Sequence, residues 1–305
     1  MVLSVVIPLY NEEHLVDDLV ERVMTVLKSQ IIEFEVIFVD DGSRDATLEK
    51  LVAARSRDGR IKILELSKNF GHQAAFTAGL GFAKGQYVVM MDGDLQDPPE
   101  LIPAMYRMLL TDQYDVIFAK RTNPPSYRGR RLLSRWFHKS FSRVSGLPDI
   151  ENVGNFSAMN RTALEALLLY TESIRYLPGL RHFIGYRQGF VEYRRSDRFK
   201  GKSKMKFTKL IALSADAIFS FSNFPIRLCL WLGIIGIIVF FLAGLYTVVA
   251  KVAGFAIIGW SSTLLSIYFL GSIQLAFLGV IGEYIYRIYK ESQRRPLFFV
   301  RKFHE

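Results

Sequence analysis

Tyr87-Val88-Val89-Met90-Met91-Asp92-Gly93-Asp94-Leu95-Gln96-Asp97-Pro98-Pro99-Glu100 reads as a buried strand that ends in two carboxylates one residue apart. A glycine separates the acids, and an amide and a proline-stopped turn follow. Hard oxygen ligands at this spacing suit a divalent cation of the magnesium or manganese kind, which usually also binds substrate phosphates. Taken alone, such a pair is more simply an acidic turn capping the next helix. Its surroundings must decide.

Upstream and downstream, strands alternate with helices. Leu3 to Leu9 reads as a strand, and Asn11 is placed to cap a helix in which Leu15, Leu19, Val23 and Val26 or Leu27 recur at helical spacing. Phe34 to Val39 is a second strand, followed by Asp40-Asp41-Gly42-Ser43 and a helix from about Ala46 to Arg57. Ile61 to Leu66 is the third, with a small-residue helix near Ala74 to Ala83. Tyr87 to Met91 is the fourth, Pro99 to Leu110 a helix, and Val116 to Ala119 the fifth. Repeated strand-helix units predict an α/β fold, a mostly parallel sheet with helices on both faces.

Ligands of open α/β sheets bind outside the carboxyl ends of the strands. Tyr10 and Asn11 follow strand one, Asp40 and Asp41 strand two, Lys68 and Asn69 strand three, Asp92 and Asp94 strand four, Lys120 and Arg121 strand five. A whole edge lined in this way is a site. No G-x-G-x-x-G follows the first strand, so the dinucleotide fingerprint is absent. A phosphate-bearing ligand would be held through a metal and through arginines.

The 305-residue chain is 50% hydrophobic, with a formal net charge of +10. It can bury a sizeable core, and its cation excess fits nucleic acid, an anionic membrane or phosphorylated substrates. Cys229 is the single cysteine, which excludes an internal disulfide framework and a cysteine metal site. The chain opens directly on a strand-like run without a basic, small-residue-cleaved leader, so the first part is expected in the cytoplasm.

Between Arg121 and Gly146, Arg128, Arg130, Arg131, Arg135, Lys139 and Arg143 interleave with Tyr127, Trp136, Phe137 and Phe141. Nucleic acid is one reading. A lipid-proximal amphipathic helix with basic groups for a phosphate head is the other, and the C-terminal part favours it. There, Leu228 to Ala250 is an uncharged apolar run of roughly 23 residues, enough to cross a hydrocarbon core of about 30 Å. Leu264 to Tyr286 is similar, with one late acid, Glu283; an acid in a span is a functional candidate, but its place beside Arg287 at i+4 favours a local ion pair. Arg198, Lys200, Lys202, Lys204, Lys206, Lys209 and Arg227 precede the first run; Arg287, Lys290, Arg294, Arg295, Arg301 and Lys302 follow the second. The connection holds only Lys251, so both termini are expected in the cytoplasm. Met205 to Phe224 reads as an interfacial helix. The expected organisation is a catalytic domain over 1–204, an interfacial amphipathic helix over 205–225, a transmembrane hairpin over 226–290 and a basic cytoplasmic tail over 291–305.

Several segments carry a family resemblance: Val5-Val6-Ile7-Pro8-Leu9-Tyr10-Asn11-Glu12-Glu13, Val39-Asp40-Asp41-Gly42-Ser43, Asn69-Phe70-Gly71-His72, Asp92 through Glu100 and Phe118-Ala119-Lys120-Arg121. Asn152-Val153-Gly154-Asn155-Phe156, Ser220-Phe221-Ser222-Asn223-Phe224-Pro225 and Leu278-Gly279-Val280-Ile281-Gly282-Glu283-Tyr284-Ile285 extend it over nearly the whole chain. The set resembles family 2 glycosyltransferases, specifically the polyprenyl-phosphate branch with its dolichol-phosphate mannose synthases and bactoprenol glucosyltransferases. The resemblance implies a GT-A fold and metal-dependent (Mg2+ or Mn2+) transfer of a hexose, glucose from UDP-glucose by the nearest relatives, to polyprenyl phosphate with inversion. By position it places Pro8, Tyr10, Glu12, Asp41, Asp92 and Gly93 on the nucleotide sugar. Asp92, Asp94 and Gln96 fall on the metal and diphosphate, and Arg121, Arg130, Ser134, Arg198 and Lys204 on the acceptor phosphate. A plasma-membrane location and a homo-oligomer, a tetramer being one form, are also implied; nucleic acid is not.

One position departs from that pattern. Many relatives carry an aspartate, proposed as a base, where this chain has Asn155, which cannot accept a proton. Asp149 and Glu151 are the nearby acids. A polyprenyl phosphate needs little help from a base, because a phosphate monoester has its second pKa near 6 and is largely ionised at neutral pH. Asn155 is therefore expected to orient donor or acceptor. Another nucleotide sugar, a polysaccharide synthase and a non-catalytic nucleotide-sugar binder are the alternatives. A synthase should show more spans and a Q-x-x-R-W motif, and a binder leaves the arginines unexplained.

Overall fold

A computed structural model describes residues 2–31, 33–122, 153–172, 175, 177–194, 224–254 and 259–305. The basic segment after Thr122, with Arg130, Ser134, Asp149 and Glu151, lies outside the described residues, as do Arg198, Lys204 and most of the expected interfacial helix. The chain divides into two compact units, one holding a sheet and including Pro296–Glu305, the other holding two long helices.

The sheet contains β1 (Leu3–Leu9), β2 (Phe34–Asp40), β3 (Ile61–Leu66), β4 (Tyr87–Met90), β5 (Val116–Arg121), β6 (Val153–Asn160), β7 (Gln188–Tyr193) and β8 (Val300–His304), in the order β7-β5-β6-β4-β1-β2-β3-β8. Pairing is parallel for β1 with β2 and β4, β2 with β3, and β5 with β7. β6 is antiparallel to both β4 and β5. All the strands except β6 and β8 therefore point one way, and their carboxyl ends share one edge. β1 and β2 are buried at every position, as strands covered on both faces must be.

Around the sheet lie α1 (Val16–Gln30), α2 (Thr47–Arg57), α3 (His72–Phe82), α4 (Ile102–Leu109), α5 (Arg161–Leu168) and α6 (Leu177–Phe183). α1 buries Val16, Leu19, Val23 and Leu27 along one stripe, following the helical spacing. α3 is rich in small residues because it lies close to the strands. A Cβ on Gly79 would stand 2.4 Å from Val6 Cγ1 and 2.8 Å from Val39 Cγ2.

Two features differ from expectation. Asn11 does not cap α1, whose N-terminal residue makes no side-chain cap. It sits at φ 53°, a left-handed conformation asparagine tolerates, and its Oδ1 accepts from Arg44 N at 2.8 Å, joining the loops after β1 and β2. The basic tail is not free: Val300–His304 pairs antiparallel with β3 and covers what would otherwise be an open sheet edge. Arg301 Nη1 lies 3.2 Å from a Glu65 oxygen there.

In the second unit, α7 (Phe224–Val252) and α8 (Trp260–Ser292) contain stretches Leu228–Ala250 and Ser266–Ser292 that are long and apolar enough to cross a membrane. Phe241, Leu242, Leu275 and Leu278 are all exposed, apolar surface that suits lipid and not water. Arg287 Nε donates to Glu283 Oε1 at 2.8 Å, the expected local pair.

Overpacking a tight core typically costs about 1–3 kcal/mol. Gly79→Val is expected to destabilise the sheet unit by about that amount or somewhat more, seen as a lower thermal-unfolding midpoint of the full chain in detergent. An unchanged midpoint would mean that α3 can move off the sheet at no cost.

Candidate active site

Two carboxyl ends meet at the β1/β4 boundary, where the chain connections diverge to opposite sides and open α/β sheets bind ligands. Asp92 and Asp94 lie in the turn that follows β4, after Met91. A Cβ on Gly93 would lie 2.4 Å from Leu9 Cδ2 and 3.1 Å from the Pro8 carbonyl, so a larger residue there would have to displace the buried Leu9 side chain. That close approach brings the acidic turn against the end of β1.

Asp92 Oδ1 is a shared acceptor. His72 Nε2 stands 2.9 Å from it and Asn155 Nδ2 donates to it at 3.2 Å. The amide must face this way, because its oxygen would otherwise confront the carboxylate. His72 Nε2 and Asn155 Nδ2 are also 3.1 Å apart, a contact of two groups that converge on one oxygen. Burial alone would raise the Asp92 carboxyl. The His72 hydrogen bond and charge, the Asn155 bond and the Arg121 charge outweigh it and hold Asp92 below the usual carboxylate range. Burial likewise opposes the charged form of His72, but Asp92, Asp94 and Asp41 together push its pKa up.

Asn155 is delivered by β6, whose antiparallel direction puts its first residues at the carboxyl edge of its neighbours. Arg181 of α6, fully buried, fixes that end. Its Nη1 donates to the Asn155 carbonyl at 2.7 Å and its Nη2 to the Gly154 carbonyl at 2.8 Å, with Ser157 Oγ a further acceptor. The guanidinium lies over the Phe118 ring, 5.3 Å from its centroid. Asn155 Oδ1 is buried with no hydrogen-bond partner, an unsatisfied acceptor at this edge.

Asp41 follows the last residue of β2 but faces inward. It accepts from Phe70 N at 2.7 Å and Gly71 N at 2.9 Å, so it shapes the loop that starts α3 at His72. Burial pushes its carboxyl up, and these two bonds offset part of that. Pro8 lies within β1, and Tyr10, 39% exposed, stands just beyond it. Glu12 N is tied to Thr47 Oγ1 at 2.9 Å. Asp94 Oδ1 accepts from Gln96 N at 3.1 Å, and Gln96 is buried. Arg121 ends β5, its Nε donating to Tyr193 Oη at 3.0 Å.

Asp92, Asp94 and Gln96 supply the hard oxygen donors that Mg2+ or Mn2+ prefers. Among the described residues no group of three or more His, Cys, Asp or Glu forms a ready-made cage. Such a cation usually keeps waters and takes other ligands from substrate phosphates, so one or two carboxylates fit it.

Residues 4–168 match the family described as glycosyl transferase family 2. The chain belongs to that family. An uncharacterized glycosyltransferase of Synechocystis is 38% identical over 300 residues, 98% of this chain and 94% of its own length. A prophage-derived bactoprenol glucosyl transferase of Shigella flexneri is 36% identical over 306 residues, covering 100% of this chain and 99% of that one. Among solved structures, the glucosyl-3-phosphoglycerate synthase of Mycobacterium tuberculosis in complex with Mn2+, UDP and phosphoglyceric acid has a TM-score of 0.51 at 19% identity, over 71% of this chain and 76% of that one. That likeness shows the GT-A-like α/β fold of this family 2 glycosyltransferase.

Sequence reasoning singled out Asp92, Asp94 and Asn155, and the fold brings Asp92 and Asn155 into contact. It did not single out His72 as a site residue, although His72 closes the Asn69-Phe70-Gly71 loop after β3. Nor did it find Arg181 or Tyr193, which have no local motif to mark them.

Asn155→Asp would set a carboxylate oxygen against Asp92 Oδ1 in place of a donor. Loss of an aligned donor at a reacting centre costs about 10²–10³ in rate. Sugar-transfer turnover of Asn155→Asp is expected to fall by about a hundredfold in steady-state assays, whereas a gain would show that position 155 works better as a base.

Proposed function

We propose that this family 2 glycosyltransferase moves glucose from UDP-glucose to a polyprenyl phosphate, undecaprenyl phosphate or a close relative, with inversion, at the cytoplasmic face of the plasma membrane. One observation carries the reading: a cation, Arg121, stands on the same sheet edge as the Asp92/Asp94 pair, near enough for its charge to act on Asp92. An anionic acceptor and an anionic donor need that combination. Full-length similarity to bactoprenol glucosyl transferases of Shigella phages and prophages supports the choice of acceptor and sugar.

In this mechanism Pro8, Tyr10, Glu12, Asp41, Asp92 and Gly93 form the nucleotide-sugar side, at the ends of β1, β2 and β4. Asp92, Asp94 and Gln96 would hold Mg2+ or Mn2+, which supplies charge neutralisation for the departing diphosphate. Arg121, joined by Arg130, Ser134, Arg198 and Lys204, binds the acceptor phosphate through charge-assisted hydrogen bonds. An ionised phosphate oxygen attacks the anomeric carbon from the face opposite UDP. The carbon–oxygen bond to UDP breaks as the new bond forms, and the configuration inverts. No proton has to be removed, so Asn155 serves by orientation: its Nδ2 holds Asp92 in place beside the donor.

Two features support a hairpin with both ends in the cytoplasm. Basic residues cluster outside the two spans and only Lys251 lies between them. β8, beyond the second span, pairs with β3, which precedes the first, so the flanks belong to one folded unit and one side of the membrane.

Purified full-length protein given labelled UDP-glucose, Mg2+ or Mn2+ and undecaprenyl phosphate is expected to form a labelled lipid. Asp94→Asn and chelation should each reduce this by about a hundredfold or more. Absence of lipid product with any nucleotide sugar would overturn the proposal; product from another sugar would replace glucose alone. Topology is tested separately in a Cys229→Ser background. Ala253→Cys should react with an impermeant maleimide from outside intact cells, and Glu305→Cys only after permeabilisation. Reversed labelling would invert the orientation.

A further inference from the structure

Arg121, Tyr193 and Asp97 come from three elements and meet at the carboxyl edge. Arg121 ends β5, Tyr193 ends β7 directly opposite it in register, and Asp97 lies in the turn after β4. Tyr193 Oη donates to Asp97 Oδ1 at 2.5 Å and accepts from Arg121 Nε at 3.0 Å. Arg121 Nη2 stops 3.7 Å from the same Asp97 oxygen, a distance that gives attraction but no hydrogen bond.

We propose that Tyr193 is a positioning residue for Arg121, a hydroxyl spacer that keeps the arginine from closing onto Asp97 and so leaves its charge for the acceptor phosphate. The inference rests on Arg121 being an acceptor-phosphate ligand, as proposed above. A guanidinium binds phosphate best through paired N–H groups, and the same pairs bind carboxylates. Asp97, fully buried beside Arg121, is therefore the phosphate's direct competitor. A tyrosine hydroxyl has one donor and can also accept. Here the donor goes to Asp97 and Arg121 contributes only Nε, so the terminal nitrogens are not drawn into a bidentate pair with the carboxylate.

The spacer itself is held firmly. Tyr193 is 6% exposed, and its ring stands edge-on to Phe156 with centroids 5.9 Å apart. Its carbonyl accepts from Thr122 N at 2.9 Å, next to Arg121 in the chain. On the other side, a Cβ on Gly154 would lie 2.7 Å from Arg121 Nη2, so the glycine leaves room for the guanidinium against β6.

Tyr193→Phe keeps the ring and removes the spacer. The expected result is a rise of about tenfold in KM for undecaprenyl phosphate, the worth of one charge-assisted hydrogen bond, with KM for UDP-glucose within about twofold of wild type. Adding Asp97→Asn removes the competing charge and should recover most of the acceptor KM, a rescue that a purely structural defect would not show. Thermal unfolding of each variant checks the fold. If wild type forms no labelled lipid, the acceptor reading fails and this inference fails with it. If wild type is active but Tyr193→Phe leaves acceptor KM unchanged, raises both KM values alike, or is worsened by Asp97→Asn, the spacer role alone is overturned.

Discussion

Strand β6 runs against β4 and β5, so its first residues, not its last, reach the edge where the parallel strands end. That reversal is what carries Asn155 to Asp92 and Gly154 to Arg121. A parallel strand in the same slot would present Met159 and Asn160 there instead. The backbone hydrogen bonds of the sheet set the register, and buried Arg181 secures the strand's end through the carbonyls of Gly154 and Asn155. A charge placed where water is excluded must be satisfied locally. Arg181 meets that need with backbone oxygens and Ser157, which ties the geometry of Asn155 to the packing of α6.

Charge balance at the edge follows a consistent logic. Asp41 is turned inward onto the Phe70 and Gly71 amides, and Asp92 is held by His72 and Asn155. At each carboxylate, donors from a different segment oppose the cost of burial, outweighing it at Asp92 and offsetting part of it at Asp41. Arg121 stands beside these acids with Tyr193 between it and Asp97: the hydroxyl donates to Asp97 and accepts from Arg121 Nε. In the function proposed above, this edge receives two anionic partners, one through a cation at the acids and one at the arginine.

Residues far apart in sequence complete the sheet unit. β8 follows the second long apolar helix and returns to β3, with Glu65 facing Arg301 and Glu35 receiving Lys62 at 2.9 Å on the buried side. Sequence reading took Val300–His304 as part of a basic tail, since a five-residue run with three basic side chains has no strand signature of its own. The open edge of β3 makes it a strand, by offering unpaired backbone groups.

By itself the sequence determined β1 to β5, the helical stripe of α1, the two long apolar helices and the Glu283–Arg287 pair. All of these follow from local periodicity or from spacing within one turn. It also marked Asp92, Asp94 and Asn155, because their motifs are short and contiguous. Asn11 was misread as a cap because a capping asparagine and a left-handed asparagine look alike until the backbone angle is known. His72, Arg181, Asp97 and Tyr193 acquired their roles only in the tertiary structure. Their partners lie between 20 and 96 residues away, and the contacts exist only once the sheet has set strand order and direction. Local pattern encodes what a segment is; which side chains meet is decided by register between segments, and register is a property of the folded sheet.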